Sequence, residues 1–194
     1  MSYQAKIDAF VNSAGYGTLT PEGVTSAVVN RGIPVNGRGC LLRSTALYYT
    51  ALNRRRELVV ALLAVGADVN AKNNFGESSV WACAIRSAEI LQLLIDGGGS
   101  VNDATDFGDT PLIALVTHNV GDEAARLKVL LACPDLDLDA EYNSKTAEEW
   151  ATDTSRSELA VAIAEERAGR ERWGGLRAAW IAATIAPITA FLIT

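Results

Sequence analysis

Few residues in this chain of 194 have types and spacings that could do chemistry, and most fail on geometry. His118 is the single histidine, it sits just before Asn119-Val120-Gly121, and no serine or cysteine has a base beside it in sequence. A turn residue between helices explains it without catalysis. Asp103, Asp106 and Asp109 recur every third residue. A calcium loop instead places oxygen ligands at every second residue and adds a distal bidentate glutamate, so finger solubility accounts for these aspartates better. Gly97-Gly98-Gly99 closes a helical pattern rather than opening one, and no Lys-Ser/Thr follows, so it is not a phosphate loop. Arg54-Arg55-Arg56 is a short basic run with no interleaved aromatics, unlike a nucleic-acid stacking platform. Cys40, Cys83 and Cys133 are odd in number and fall in unrelated places, which suggests neither a metal site nor a disulfide framework. A reducing, cytoplasmic setting is therefore expected, with no catalytic residue, metal or cofactor. Residues 1–16 carry Lys6 and Asp8 and lack the apolar core of a signal peptide.

The apolar and aromatic residues lie in a different arrangement, set by a repeat. Gly32-Ile33-Pro34-Val35-Asn36, Gly66-Ala67-Asp68-Val69-Asn70, Gly98-Gly99-Ser100-Val101-Asn102 and Asp135-Leu136-Asp137-Leu138-Asp139 are versions of one motif. Each is followed by a second mark, at Thr45, Ser78, Thr110 and Thr146, with spacings of 33, 32 and 36 residues. Self-similarity near this period indicates a solenoid of supersecondary units, whose working part is a stacked surface rather than a pocket.

One unit shows the physics. Residues 70–76 are rich in turn formers and predict an exposed finger. Ser78 can cap a first helix over about 79–86, a second spans about 87–96, and the three glycines end it. Ile90, Leu91, Leu93, Leu94 and Ile95 give the second helix its apolar side. The same reading fits 38–70, with Leu47, Ala51, Leu58, Val59, Leu62 and Leu63 buried. It also fits 103–139, with Leu112, Ala114, Leu115, Leu127, Val129, Leu130 and Leu131 buried.

This combination resembles the ankyrin repeat family. The residues that carry it are Gly108-Asp109-Thr110-Pro111-Leu112, Leu62-Leu63 with Gly66-Ala67-Asp68-Val69-Asn70-Ala71, and Gly76 before Ser78. The clear likeness covers about 37–164. Before it, residues 3–11 and 21–30 look like two helices of a degenerate first repeat, with Pro21 at an N-terminal helical position. After it, 146–170 looks like a last repeat, with Trp150 and Ala151 inward and Leu159, Val161 and Ile163 on its second helix. The departures are Ser79 in place of proline, Tyr48, Trp81 and Ile113 where the family usually has histidine, and Glu148 at a normally apolar place.

The expected fold is thus all-α, a helix-turn-helix solenoid of about five repeats with a hydrophobic C-terminal helix. The repeats divide as 1–36, 37–70, 71–102, 103–139 and 140–172, followed by an apolar helix over 173–194. The resemblance implies a non-catalytic scaffold that binds a protein partner through the concave surface of fingers and first helices. In the register of Thr45, Ser78 and Thr110, the residue three places earlier is Leu42, Phe75 and Phe107, and Tyr142 lies near the equivalent place. An apolar row rimmed by charge reads as a contact strip, which Tyr48, Trp81 and Ile113 would extend. The alternative is that these side chains fold down between neighbouring fingers.

Charge is uneven within the net −6. Residues 31–72 hold seven Arg or Lys against Glu57 and Asp68, whereas 96–153 hold thirteen Asp or Glu against Arg126, Lys128 and Lys145. In a solenoid this becomes a long-range dipole able to steer a partner; ordinary solvated faces are the competing reading. Residues 178–194 contain no charge, and Arg167, Arg170, Arg172 and Arg177 lie upstream. That suits a tail anchor with a basic flank, although 17 residues is short for a bilayer. Ile181, Ile185, Ile188 and Leu192 also make a helix stripe that could dock on protein. A membrane-anchored or complex-embedded subunit, with the repeats as docking arm, is the alternative function.

Overall fold

Four short hydroxyl residues fix where the inner helices begin. In the computed structural model, which describes residues 1–39, 42–118 and 121–173, the side chains of Thr45, Ser78, Thr110 and Thr146 accept the backbone N–H of Tyr48, Trp81, Ile113 and Glu149. Each relieves an otherwise unpaired N–H in a first helical turn. The helices that follow are α3 (Ala46–Leu52), α5 (Ser79–Ala84), α7 (Pro111–Thr117) and α9 (Ala147–Asp153). Each leads into a second helix: α4 (Arg56–Ala64), α6 (Ala88–Asp96), α8 (Glu123–Leu131) and α10, helical over residues 157–173. Ahead of these stand α1 (Tyr3–Gly15) and α2 (Pro21–Thr25). The expected helix over 21–30 tightens into this one short α-helical turn and then widens into a π-helical turn at Ser26–Asn30.

The helices form two rows. The first helices stack α1 on α3, α3 on α5, α5 on α7 and α7 on α9, while α2, α4, α6 and α8 stack behind them. Leu47, Leu58, Leu62, Ile90, Leu91, Leu94, Leu112, Leu115, Leu130 and Ile163 are fully buried between the rows. Each such side chain contributes about 1.5–3 kcal/mol by leaving water. Leu63, Leu93, Ile95, Val129 and Leu131, expected in the core, are half-buried, and Val161 is 55% exposed on the outer side of α10.

The Gly-Ala-Asp-Val-Asn motif works as a fastener between repeats. Asn36 Oδ1 accepts the N–H of Asp68 at 2.7 Å, Asn70 that of Ser100 at 2.8 Å, and Asn102 that of Asp137 at 2.8 Å. The same three amides donate to Gly66 O, Gly98 O and Asp135 O. One side chain thus satisfies a donor and an acceptor of the next loop, and the bond recurs along the stack. Residue 139 is an aspartate, and its carboxylate pairs instead with Arg167 Nε at 3.2 Å.

The fingers repeat equally closely. The residue two places before each cap has positive φ: Arg43 (49°), Gly76 (74°), Gly108 (95°) and Ser144 (59°). Gly76 has a second reason to be glycine, because a Cβ there would meet Asp106 N at 2.5 Å. The last finger closes as a two-stranded antiparallel hairpin, β1 (Glu141–Tyr142) and β2 (Lys145–Thr146). Beyond it α10 is tied down by arginines: Arg170 donates to Leu136 O at 2.6 Å and Cys133 O at 2.9 Å, and Arg167 to Leu138 O at 3.0 Å. Arg167 also pairs with Glu148, which explains a carboxylate where the family usually has an apolar residue. The expected apolar C-terminal helix and its stripe of Ile181, Ile185, Ile188 and Leu192 lie outside the described residues. Among the described residues no helix is long and apolar enough to cross a membrane.

Candidate functional site

The finger tips carry the exposed rings. Phe75 is 40% exposed and Phe107 68%, and the two stack with centroids 6.2 Å apart and planes inclined by 29°. Leu42 lies one finger earlier at 37%. The backbone sets this row, because Asn74 N donates to Leu42 O and Asp106 N to Phe75 O, both at 2.9 Å. The main-chain ladder thus sets the spacing of the row, and the two rings pack on each other from it. Tyr142 is half-buried and lies one place off the register, on β1, with its ring 6.0 Å from that of Trp150. Its carbonyl accepts from Trp150 Nε1 at 2.9 Å.

Tyr48, Trp81 and Ile113, expected to widen the strip, are buried at 5%, 8% and 0% exposure. The cause is the neighbouring helix: a side chain near the start of one inner helix is covered by the next repeat. Two of them are polar rings, and each finds a partner there. Tyr48 OH donates to Glu77 Oε2 at 2.6 Å and Trp81 Nε1 to Asp109 Oδ2 at 3.0 Å. Glu77 and Asp109 occupy the same place, one residue before the cap of the following helix. Ile113 has no donor, and the equivalent acceptor is replaced by Lys145, whose ammonium lies 5.1 Å over the Trp150 ring and pairs with Asp153. Burial, reinforced by the hydrogen bond and charge of Glu77, pushes the Tyr48 phenol well above its ordinary value.

These groups frame a cleft of about 500 Å³ where α5, α7 and α9 meet the last two fingers. Trp81, Phe107, Tyr142 and Trp150 supply its aromatic walls, and His118 stands edge-on to Trp81 at 5.9 Å. Glu77 and Asp109 supply its acid groups. Asn73 Nδ2 also donates to Glu77 Oε2 at 2.7 Å, and Thr105 Oγ1 donates to Asp109 Oδ1. Every donor to these two carboxylates among the described residues is neutral. The other candidate chemistry stays apart: Cys83 is buried in α5 with its thiol pushed up to about 12 by desolvation, and Cys133 is buried near α8. No cluster of three or more metal-binding side chains forms among the described residues.

Two stacked rows of short antiparallel helices, joined by fingers bonded at a fixed register, define a helical repeat protein. Residues 43–74 match the family model described as Ankyrin repeat, and the chain carries an ankyrin repeat there, a module suited to protein–protein interaction. That segment includes α3, α4, the Asn70 fastener and the start of the next finger. Compared with curated proteins, the whole chain finds no match.

Proposed function

We propose that this protein is a non-catalytic interaction scaffold of about five ankyrin-like repeats that docks a protein partner on its finger tips and the inner helices beside them. The observation that carries the reading is the Phe75–Phe107 stack, two rings exposed by 40% and 68% on consecutive fingers of fixed backbone. Large exposed rings preorganised in a row lose little freedom on binding and exclude much water, which is how interface anchors gain affinity. The uneven charge supports steering of the partner to this surface.

The test replaces Phe75 and Phe107 together with serine and compares partner capture by the intact chains. Capture should fall while helical content and melting stay near those of the parent, since neither ring is core. A variant that unfolds, or that captures as before, refutes the docking surface. Association should also slow from low to physiological salt as screening shortens the reach of the charge blocks. The uncharged stretch 178–194 favours a second reading, attachment to a membrane or complex through the tail. Carbonate extraction of membranes carrying the full chain, compared with a chain ending at 173, separates this from the scaffold alone.

A further inference from the structure

We propose that the aromatic-walled cleft between the last two fingers seats an arginine side chain presented by the protein partner. This rests on the docking surface just described and specifies its chemistry. Glu77 and Asp109 come from successive repeats, line one cleft and lack any cationic partner among the described residues. By contrast, Asp103, Glu123, Asp139, Glu148 and Asp153 each have an arginine or lysine. Neutral donors orient the two carboxylates without pairing their charge, while the nearby Lys145 ammonium, over Trp150, is paired with Asp153.

A cation that enters gains twice. Ring quadrupoles attract it face-on, and the carboxylates pair with it in a partly desolvated place. The chain already shows the first effect, with the Lys145 ammonium over Trp150. Among natural side chains, guanidinium fits best. It is flat enough to lie on the exposed ring of Phe107, it is weakly hydrated, and its fork of five donors can address acceptors on two repeats at once. Most of the lining comes from the acid-rich segment 96–153, with thirteen Asp or Glu against three Arg or Lys, which adds long-range attraction.

The experiment titrates the full chain with N-acetyl-arginine N-methylamide while following the tryptophan indole N–H signals by NMR. The Trp81 and Trp150 signals should move saturably, and that of Trp173, 75% exposed on α10, should not. The citrulline counterpart, equal in shape but uncharged, should bind about tenfold more weakly. Phe107→Ala should weaken arginine binding by about threefold or more without altering the rest of the spectrum. Glu77→Gln should do the same; because Glu77 also receives Tyr48 and Asn73, Phe107→Ala is the variant that decides if this one loses structure. Absence of movement at Trp81 and Trp150, or equal binding of citrulline, overturns the arginine seat. Equal binding of the lysine counterpart overturns the guanidinium assignment. If the seat fails while capture still depends on Phe75 and Phe107, the docking surface stands and only its charged pocket falls.

Discussion

Ser79→Pro tests whether the repeat geometry is understood at the level of a single bond. Ser79 opens α5, is 1% exposed, and its Oγ is buried with no hydrogen-bond partner among the described residues. At the first position of a helix the backbone N–H has no intrahelical acceptor, so proline removes nothing there, and its fixed φ suits the turn. The preceding residue must be extended for proline to follow. Ser78 is, with φ −93° and ψ 169°, close to the −84° and 166° of Thr110, which precedes the buried Pro111 in the next repeat. Restricting the unfolded chain should stabilise by about 0.4–1 kcal/mol. Removing a buried unpaired hydroxyl adds about 1 kcal/mol, and fitting the larger ring costs about 1 kcal/mol. The net is about 0.4–1 kcal/mol, or roughly 1–4 °C in Tm for a domain of this size. Thermal and urea unfolding followed by circular dichroism would compare parent, Ser79→Pro and Ser79→Ala. Alanine should gain the hydroxyl contribution alone, about 1 kcal/mol, and proline should also lie above the parent, with the chain restriction offset by the cost of fitting the ring. A proline variant below the parent, with alanine above, would show that α5 does not share the entry geometry of α7; an alanine variant below the parent would show that the hydroxyl had a partner.

Asn70→Ala removes bonds of 2.8 Å and 3.1 Å to the next loop. It should cost about 1–2 kcal/mol, with amide exchange rising first at Ser100. Leu94→Ala, at a fully buried position of α6, should cost about 2–5 kcal/mol and loosen chiefly the flanking repeats, which hydrogen exchange across 37–140 would map. Cys83 holds its proton up to about pH 12 in the fold, whereas an unfolded thiol releases it near 8.5. The raised value means stability is intact below the unfolded pKa and declines above it, by up to about 1.4 kcal/mol per pH unit. Urea midpoints at pH 8 and 10 should therefore converge less for the parent than for Cys83→Ala, and an identical pH response of the two would refute this.

Local chemistry made much of the fold readable. Thr45, Ser78, Thr110 and Thr146 signal helix entry through a bond spanning three residues, and Gly98, at φ 87°, marks an exit that other residues resist. What stayed hidden depends on partners about 28–39 residues away. Nothing near Tyr48 or Trp81 says that the next repeat will cover it. The clue lay in pairs one repeat apart: Tyr48 with Glu77 and Trp81 with Asp109, against Ile113 with Lys145. Donor meets acceptor in the first two pairs, and both roles vanish together in the third. The arginine ties of α10 were equally invisible, since Arg170 reaches carbonyls 34 and 37 residues back. Phe75 and Phe107 were legible because their position follows from the finger register; their mutual stacking was not.

The asparagine fastener has the logic of step-growth polymerisation, in which every internal monomer is bifunctional and growth halts at a monofunctional end. Asn36, Asn70 and Asn102 each offer a carbonyl and an amide to a loop that returns an N–H and a C=O. Pro34 occupies the loop place of Asp68, Ser100 and Asp137, and proline has no N–H to return. Asp139 occupies the place of the asparagines, and its carboxylate has no amide to offer. One residue at each end of the described series is thus a chain stopper, and neither half of that bond can form between Asp139 and the Pro34 loop of a second copy.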